Sequence, residues 1–553
     1  MINPLYAGLG RPVSRRTFVK GVMLGAVVGA TGFPRASWGS TRREVHLTIA
    51  RHPVNITGRS VSATLINGQL PGPVLHFTEG DEVAIHVHNA LEVSTAIHWH
   101  GIILPAAMDG VPGISPGFSG IAPGQSFTYR FTLRQSGTYW YHAHAGFQEQ
   151  TGVYGAMVVH PAQPASHHAD RSHTILLSDW TNEQPDRIVA KLKKRSHYYN
   201  TNERTHRDIL RDVREKGVLG AWRDRQMWGE MRMSSRDLAD VTAYTYTYLM
   251  NGMSPAQGWE GLFQPHETLL LRLINGSAMT FFDFRIPDLP MTVIEADGQP
   301  VEPVTVDEIR IGVGETYDVL VRPHGDRPYT LFAQDLGRSG FVAGTLTPRT
   351  GERAAVPTVD PIEDLTHADM GMSHLGAPAI RHAESEYGPH VDMRAESPAY
   401  RLDDPGIGLR NNGRRVLTYA DLRHAQHSPD MRDPTHELEM HLTGNMHRYL
   451  WSIDGVPFED SAVIRWEYGA RVRITFVNDT MMNHPMHLHG MWSDVETGDE
   501  HKLPRKHTVV VQPGAKISYR VTADALGPWA FHCHMLYHMM GMFRTVHVER
   551  VQG

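Results

Sequence analysis

VRITFVNDTMMNHPMHLHG, residues 472–490, sets the architecture, because the chain carries the same pattern twice more. AIHVHNALEVSTAIHWHG spans residues 84–101, and LLLRLINGSAMTFFDFRI spans residues 269–286. Each is an apolar strand ending in Asn, then a loop, then a second strand. Aligned on Asn89, Asn275 and Asn478, the positions nine and eleven further on read His98 and His100, Phe284 and Ile286, and His487 and His489. A second pattern follows each of these: a turn Gly, a strand, a turn and another strand. Aligned on Gly124, Gly314 and Gly514, positions eighteen and twenty read His142 and His144, Phe332 and Gln334, and His532 and His534. Position nineteen reads Ala143, Ala333 and Cys533.

A repeat of this length with fixed landmarks implies three homologous domains. The first and last carry paired histidines and the middle one has lost them. The secondary structure is β. Residues 44–50 and 82–88 alternate with period two, and Gly and Pro turns separate many short strands, which argues for sandwiches or barrels. The expected division is a leader over 1–43, then domains over 44–165, 166–355 and 356–553. Two stretches break the repeat. Residues 182–240 are charged and read as a helical insert whose Lys191–Arg195 run is a solvated face. Residues 364–437 are polar and contain His367, Met370, Met372, His374 and Met393, and read as a long linker or lid over the third domain.

The whole chain has 553 residues, 41% hydrophobic and 20% charged, with a formal net charge of −6 from interspersed charges. That is an ordinary globular composition without a nucleic-acid footprint. Histidine (35), methionine (25) and the single cysteine are the informative counts. One cysteine forms no internal disulfide. Ser14-Arg15-Arg16-Thr17-Phe18-Val19-Lys20 reads as a twin-arginine export signal. The apolar stretch 21–33 behind it is too short and glycine-rich to span a membrane, and cleavage is expected near residues 36–41.

Residues two apart on a strand share a face, so each His-x-His aims two imidazoles at one point. The four pairs His98/His100, His142/His144, His487/His489 and His532/His534 therefore offer eight imidazoles to one interface, a metal site rather than a core. Cys533 lies between two of them and faces the other way, toward His484 and His538. Two histidines and a thiolate with a weak thioether define a blue-copper site, and Met542 is the axial candidate. The Cys533 backbone joins the two sites covalently.

These four motifs resemble those of the multicopper oxidases. Residues 136–142, 147–152, 251–255, 296–304, 442–446 and 478–484 resemble the bacterial copper-resistance branch, the CopA type. The resemblance implies an all-β fold of three cupredoxin-like Greek-key domains holding four copper ions. It implies that His98 and His487 hold type 2 copper. One type 3 copper would take His100, His142 and His534, the other His144, His489 and His532. His484, Cys533, His538 and Met542 would hold type 1 copper. Met542 comes one residue earlier than the family's usual spacing, where Phe543 stands. Met539 stands where some cuprous oxidases carry an acid. Asp109, in Met108-Asp109-Gly110, matches the position of an acid that serves the cluster with protons in related enzymes.

The resemblance allows cuprous ion, ferrous ion, phenols or aromatic amines as electron donor and O2 as acceptor. Asp479, Met481 and Met482 precede the type 1 ligand His484, and thioethers suit Cu(I). The expectation is a periplasmic, non-membrane-spanning cuprous oxidase acting beside copper-resistance partner proteins. A laccase oxidising phenols and a copper-sequestering protein are the alternatives. Storage needs no covalent Cys–His link, and a copper nitrite reductase has no use for four His-x-His pairs.

Overall fold

The computed structural model describes residues 42–164, 166–372 and 380–550. The expected export signal and His374 lie outside the described residues. Three pairs of sheets follow one another: two four-stranded sheets within residues 42–160, a six- and a five-stranded sheet within 171–347, and a seven- and a five-stranded sheet built mainly from 436–549.

The repeat is visible in the pairing. In each domain the first strand runs parallel to the strand that ends in the landmark Asn: Arg42–Asn55 with Glu82–Asn89, Arg171–Trp180 with Leu269–Asn275, and His436–Asn445 with Arg471–Asn478. Each landmark Asn is buried, and its amide donates to two backbone carbonyls across the turn. Asn89 donates to Val93 and Ile121, Asn275 to Thr280 and Ile311, and Asn478 to Met482 and Val511, all at 2.7–3.0 Å. The two landmark sets meet: Gly124, Gly314 and Gly514 donate their N–H to the carbonyls of Asn89, Asn275 and Asn478 at 2.8–3.0 Å. The fold is therefore three cupredoxin-like Greek-key domains, each tied at the same corner.

In the middle domain Phe284, Ile286, Phe332 and Gln334 occupy the histidine positions and are buried. Each phenylalanine contributes roughly 1.5–3 kcal/mol by burial, so positions without a metal have become core. The insert forms two helices, Pro185–Lys194 and His206–Met231, the second broken at Gly217. Met227 is exposed on that helix, whereas Met231 and Met233 pack against the core. The polar stretch after residue 364 crosses both later domains. His424 bridges to Val301, Val416 to Glu308, and Ala399–Tyr400 pairs with Ala515–Lys516. No helix among the described residues is long and apolar enough to cross a membrane.

Candidate metal centres

Strand His484–Leu488 lies antiparallel to Gly527–Cys533, with Met486 opposite Cys533 and His487 opposite His532. Alternation then separates two faces. On one, Cys533 Sγ lies 3.5 Å from His484 Nδ1 and 3.8 Å from His538 Nδ1, and the two nitrogens are 3.3 Å apart. All three residues are fully buried. The outer ring nitrogens are held: His484 Nε2–H donates to Thr480 Oγ1 (2.7 Å), whose hydroxyl donates to Asn478, and His538 Nε2–H donates to Asp240 Oδ2 (2.6 Å). The Nδ1 lone pairs therefore converge on the sulfur. Burial pushes the Cys533 thiol up and both imidazoles well below their ordinary range. Neutral imidazoles facing a thiol that ionises only beside a cation are the donor set of a soft transition metal.

Trp451 stacks on His538 at 3.7 Å between ring centres, and Tyr449 donates to Asp240 at 3.0 Å. Met542 is fully buried beside this centre; its carbonyl accepts the Cys533 N–H at 3.0 Å, and its own N–H donates to His538. Phe543 pairs with His532 in the ladder and stacks on its ring at 5.2 Å. Phe543 thus belongs to the opposite face, leaving Met542 on the Cys533 side.

On the other face the eight imidazoles of domains one and three meet. His100, His142 and His534 bring one nitrogen each within 4.8 Å of one another, as do His144, His489 and His532, and His98, His487 and His489. Five rings donate Nδ1–H to an oxygen. His98 donates to the Asp109 carbonyl, His142 to that of Ala143, His487 to that of His507 and His532 to that of Cys533, while His489 donates to the Asp109 carboxylate. Their Nε2 lone pairs face inward. His144 and His532 approach to 3.4 Å, His489 and His532 to 3.1 Å, His142 and His534 to 3.3 Å. His98 Nε2, His487 Nε2 and both nitrogens of His100 have no partner. Burial first, then mutual repulsion, holds His100, His144, His487, His489 and His534 well below the ordinary imidazole range. Lone pairs facing lone pairs in a dry site require cations, so the residues fit a metal cluster.

Asp109 is where the sequence placed it: Oδ2 lies 2.8 Å from His489 Nδ1 and Oδ1 lies 3.2 Å from His98 Nδ1, so one carboxylate spans two domains. Three further residues were not foreseen. Glu149 Oε2 sits 2.6 Å from His142 Nδ1 but off the line of a hydrogen bond, and burial pushes its carboxyl well above the ordinary range. His507 joins His100 and His487 as a ninth imidazole. Asp240 reaches His538 from the end of the insert. The middle domain closes the cluster with Gly314 at φ +87°, where a Cβ would come 3.2 Å from His100 and from His534.

Met481 and Met482 are both buried at 1% exposure, and Met482 lines a small cavity with Met279 and Met535. Asp479 is turned elsewhere. Its carboxylate accepts from Ala395 N–H (2.7 Å) and from His441 Nδ1 (2.6 Å). Burial works against a charged His441, but hydrogen bonds to Asp479 and Glu386 prevail and lift it to about 10.

Comparison with known proteins agrees with this geometry. Residues 48–164, 171–351 and 431–552 each match a domain family described as multicopper oxidase. The chain is 50% identical to a copper resistance protein A homolog of Pseudomonas syringae pv. tomato, over 97% of this chain and 99% of that one. It is 49% identical to copper resistance protein A of Escherichia coli over the same shares. Among solved structures, the multicopper oxidase Fet3p, which functions in iron import, superposes with a TM-score of 0.67 at 19% identity, over 92% of this chain and 90% of that one; at that identity the likeness concerns the fold.

Proposed function

Since this chain belongs to the multicopper oxidase family and is a copper-dependent oxidoreductase of copper resistance, we propose that it oxidises Cu(I) and passes the electrons to O2 through four bound copper ions. His484, Cys533, His538 and Met542 would hold the type 1 ion, and His98 and His487 the type 2 ion. His100, His142 and His534 would hold one type 3 ion; His144, His489 and His532 would hold the other. Bound copper supplies one-electron acceptance at the thiolate and four-electron reduction of O2 to water at the histidine cluster.

The observation that carries this reading is Cys533 on its strand. Its side chain faces one donor set while its neighbours His532 and His534 face the other, so its backbone is the shortest covalent path between them. Asp109 orients His98 and His489. Asp109 and Glu149 are the buried carboxyl groups beside the cluster, placed to serve an oxygen chemistry that consumes four protons, and burial keeps the Glu149 carboxyl well above its ordinary range. His538 is fully buried, its outer nitrogen capped by Asp240 and its ring face by Trp451. That cover favours a small ion over a phenol ring as donor. Met481 and Met482, just ahead of His484, are the soft side chains that receive Cu(I), with Asp479 beside them in sequence. Residues 14–20 direct export by the twin-arginine route to the periplasm, where partner proteins of copper resistance deliver the ion.

The test is oxygen uptake by the copper-loaded, signal-cleaved protein, with Cu(I) and then 2,6-dimethoxyphenol as donor, for the wild type and a Met481→Leu/Met482→Leu variant. Fast uptake with Cu(I) that the variant alone loses supports the reading. Equal turnover of the phenol without added copper, unaffected by the substitutions, makes the protein a laccase. Copper uptake without turnover of either donor makes it a sequestering protein.

A further inference from the structure

We propose that His382, Glu386, His441 and Asp479 form an additional site for one divalent transition-metal ion, apart from the cysteine centre and the histidine cluster. Three separate elements deliver the four side chains. His382 lies just ahead of the turn Glu384–Tyr387 in the long polar stretch and Glu386 within it, His441 comes from strand His436–Asn445, and Asp479 directly follows strand Arg471–Asn478.

The four donor atoms close a ring. His382 Nδ1 lies 2.8 Å from Glu386 Oε2, which lies 3.2 Å from His441 Nδ1. His441 Nδ1 lies 2.6 Å from Asp479 Oδ2, which lies 3.7 Å from His382 Nδ1. All four side chains are at least nine-tenths buried. A tetrahedral site with bonds of about 2.0–2.1 Å has donor–donor edges of roughly 3.3 Å, and the observed spacings bracket that length.

The tautomers point the same way. His382 Nε2 lies 3.1 Å from the Ala395 carbonyl, which only accepts, so the proton sits on Nε2. Nδ1 faces two carboxylate oxygens, and without metal it carries a second proton to Glu386, as His441 Nδ1 does to Asp479. A divalent cation would take the place of those two protons and leave both imidazoles neutral. Neutral imidazoles with an outer N–H on a carbonyl are how His98, His487 and His532 present their inner nitrogens, and such outer hydrogen bonds orient metal-binding histidines. Two carboxylates and two neutral imidazoles balance a divalent charge. With two nitrogens, two oxygens and no sulfur, the set suits Cu(II) or Zn(II) over Cu(I), and affinity order favours Cu(II). Thr480, next to Asp479, is hydrogen-bonded to His484, so the ion would sit close behind the thiolate centre.

Metal content distinguishes this site from the oxidase centres. Copper-loaded wild type, His382→Ala and Glu386→Gln proteins are dialysed against Cu(II) with a weak competing chelator. Bound copper is counted by mass spectrometry, and the blue thiolate absorption is recorded beside it. The wild type is expected to hold one equivalent more than His382→Ala, with Glu386→Gln binding that equivalent about tenfold more weakly and equal blue absorption in all three. Equal copper content in all three overturns the proposal. Should a variant lose its blue absorption, wild-type crystals decide. An anomalous copper peak between the four side chains upholds the site, and its absence beside a peak at Cys533 removes it.

Discussion

Single protons on single nitrogens organise both centres. The cysteine centre points Nδ1 inward because Thr480 and Asp240 hold Nε2; the cluster points Nε2 inward because carbonyls and Asp109 hold Nδ1. Asp109→Ala removes the carboxylate that holds His489, while His98 keeps its hydrogen bond to the backbone carbonyl of residue 109. It is expected to weaken cluster copper by about 10- to 100-fold, read as copper lost by mass spectrometry while the blue absorption of Cys533 persists. Burial raises Asp240 to about 7, opposed only by the Tyr449 hydrogen bond, and burial with the Asp240 charge raises Asp237 to about 8. Folded metal-free protein then holds protons that the unfolded chain releases near pH 4, so its stability falls as pH rises from about 4 through 7, by up to about 1.4 kcal/mol per unit per group. Asp240→Asn is expected to flatten that slope in denaturant titrations. The clustered histidines and Cys533 were legible because strand alternation turns spacing into direction. Asp240, Glu149 and His507 were not, because loops and the insert carry no period to say where a side chain points.

At the scale of elements, the Asn–Gly corner is the recurring device, and it was legible as an alignment before its hydrogen bonds were known. Asn275→Ala strips two carbonyls of a buried donor and is expected to cost about 2–4 kcal/mol in unfolding free energy, with copper content retained. Asn478→Ala removes the same bonds and also the acceptor that orients Thr480, and through it His484. It is expected to lose blue absorption as well as stability, so comparing the two variants separates the structural corner from the ligand-bearing one. Residues 364–437 were legible only as polar and long. Their turn residues bring His382 and Glu386 to Asp479 through tertiary packing alone, which no local pattern encodes. The one-residue shift at Met542 was legible as a departure, and the pairing of Phe543 with His532 supplies its reason.

Across the whole molecule, domains one and three meet through their histidines, with His98 stacked on His489 and His100 on His487 at 3.8 Å. The middle domain has no such ligands and serves as the brace. Lys506 of the third domain lies fully buried, 3.1 Å from both Asp297 and Glu315 of the second, and Gly314 presses on the cluster. The sequence announced three domains and which of them carry metal, but not this docking, because the charges that make it are single residues far apart in the chain. The assembly accounts for a four-electron reaction fed one electron at a time: a single entry at Cys533, a short covalent path, and a closed cluster with its own carboxyls. The stoichiometry of oxygen uptake with Cu(I) tests that coupling most directly. Four Cu(I) oxidised per O2 consumed, without released hydrogen peroxide, is the predicted result; two Cu(I) per O2 with peroxide in solution would contradict it.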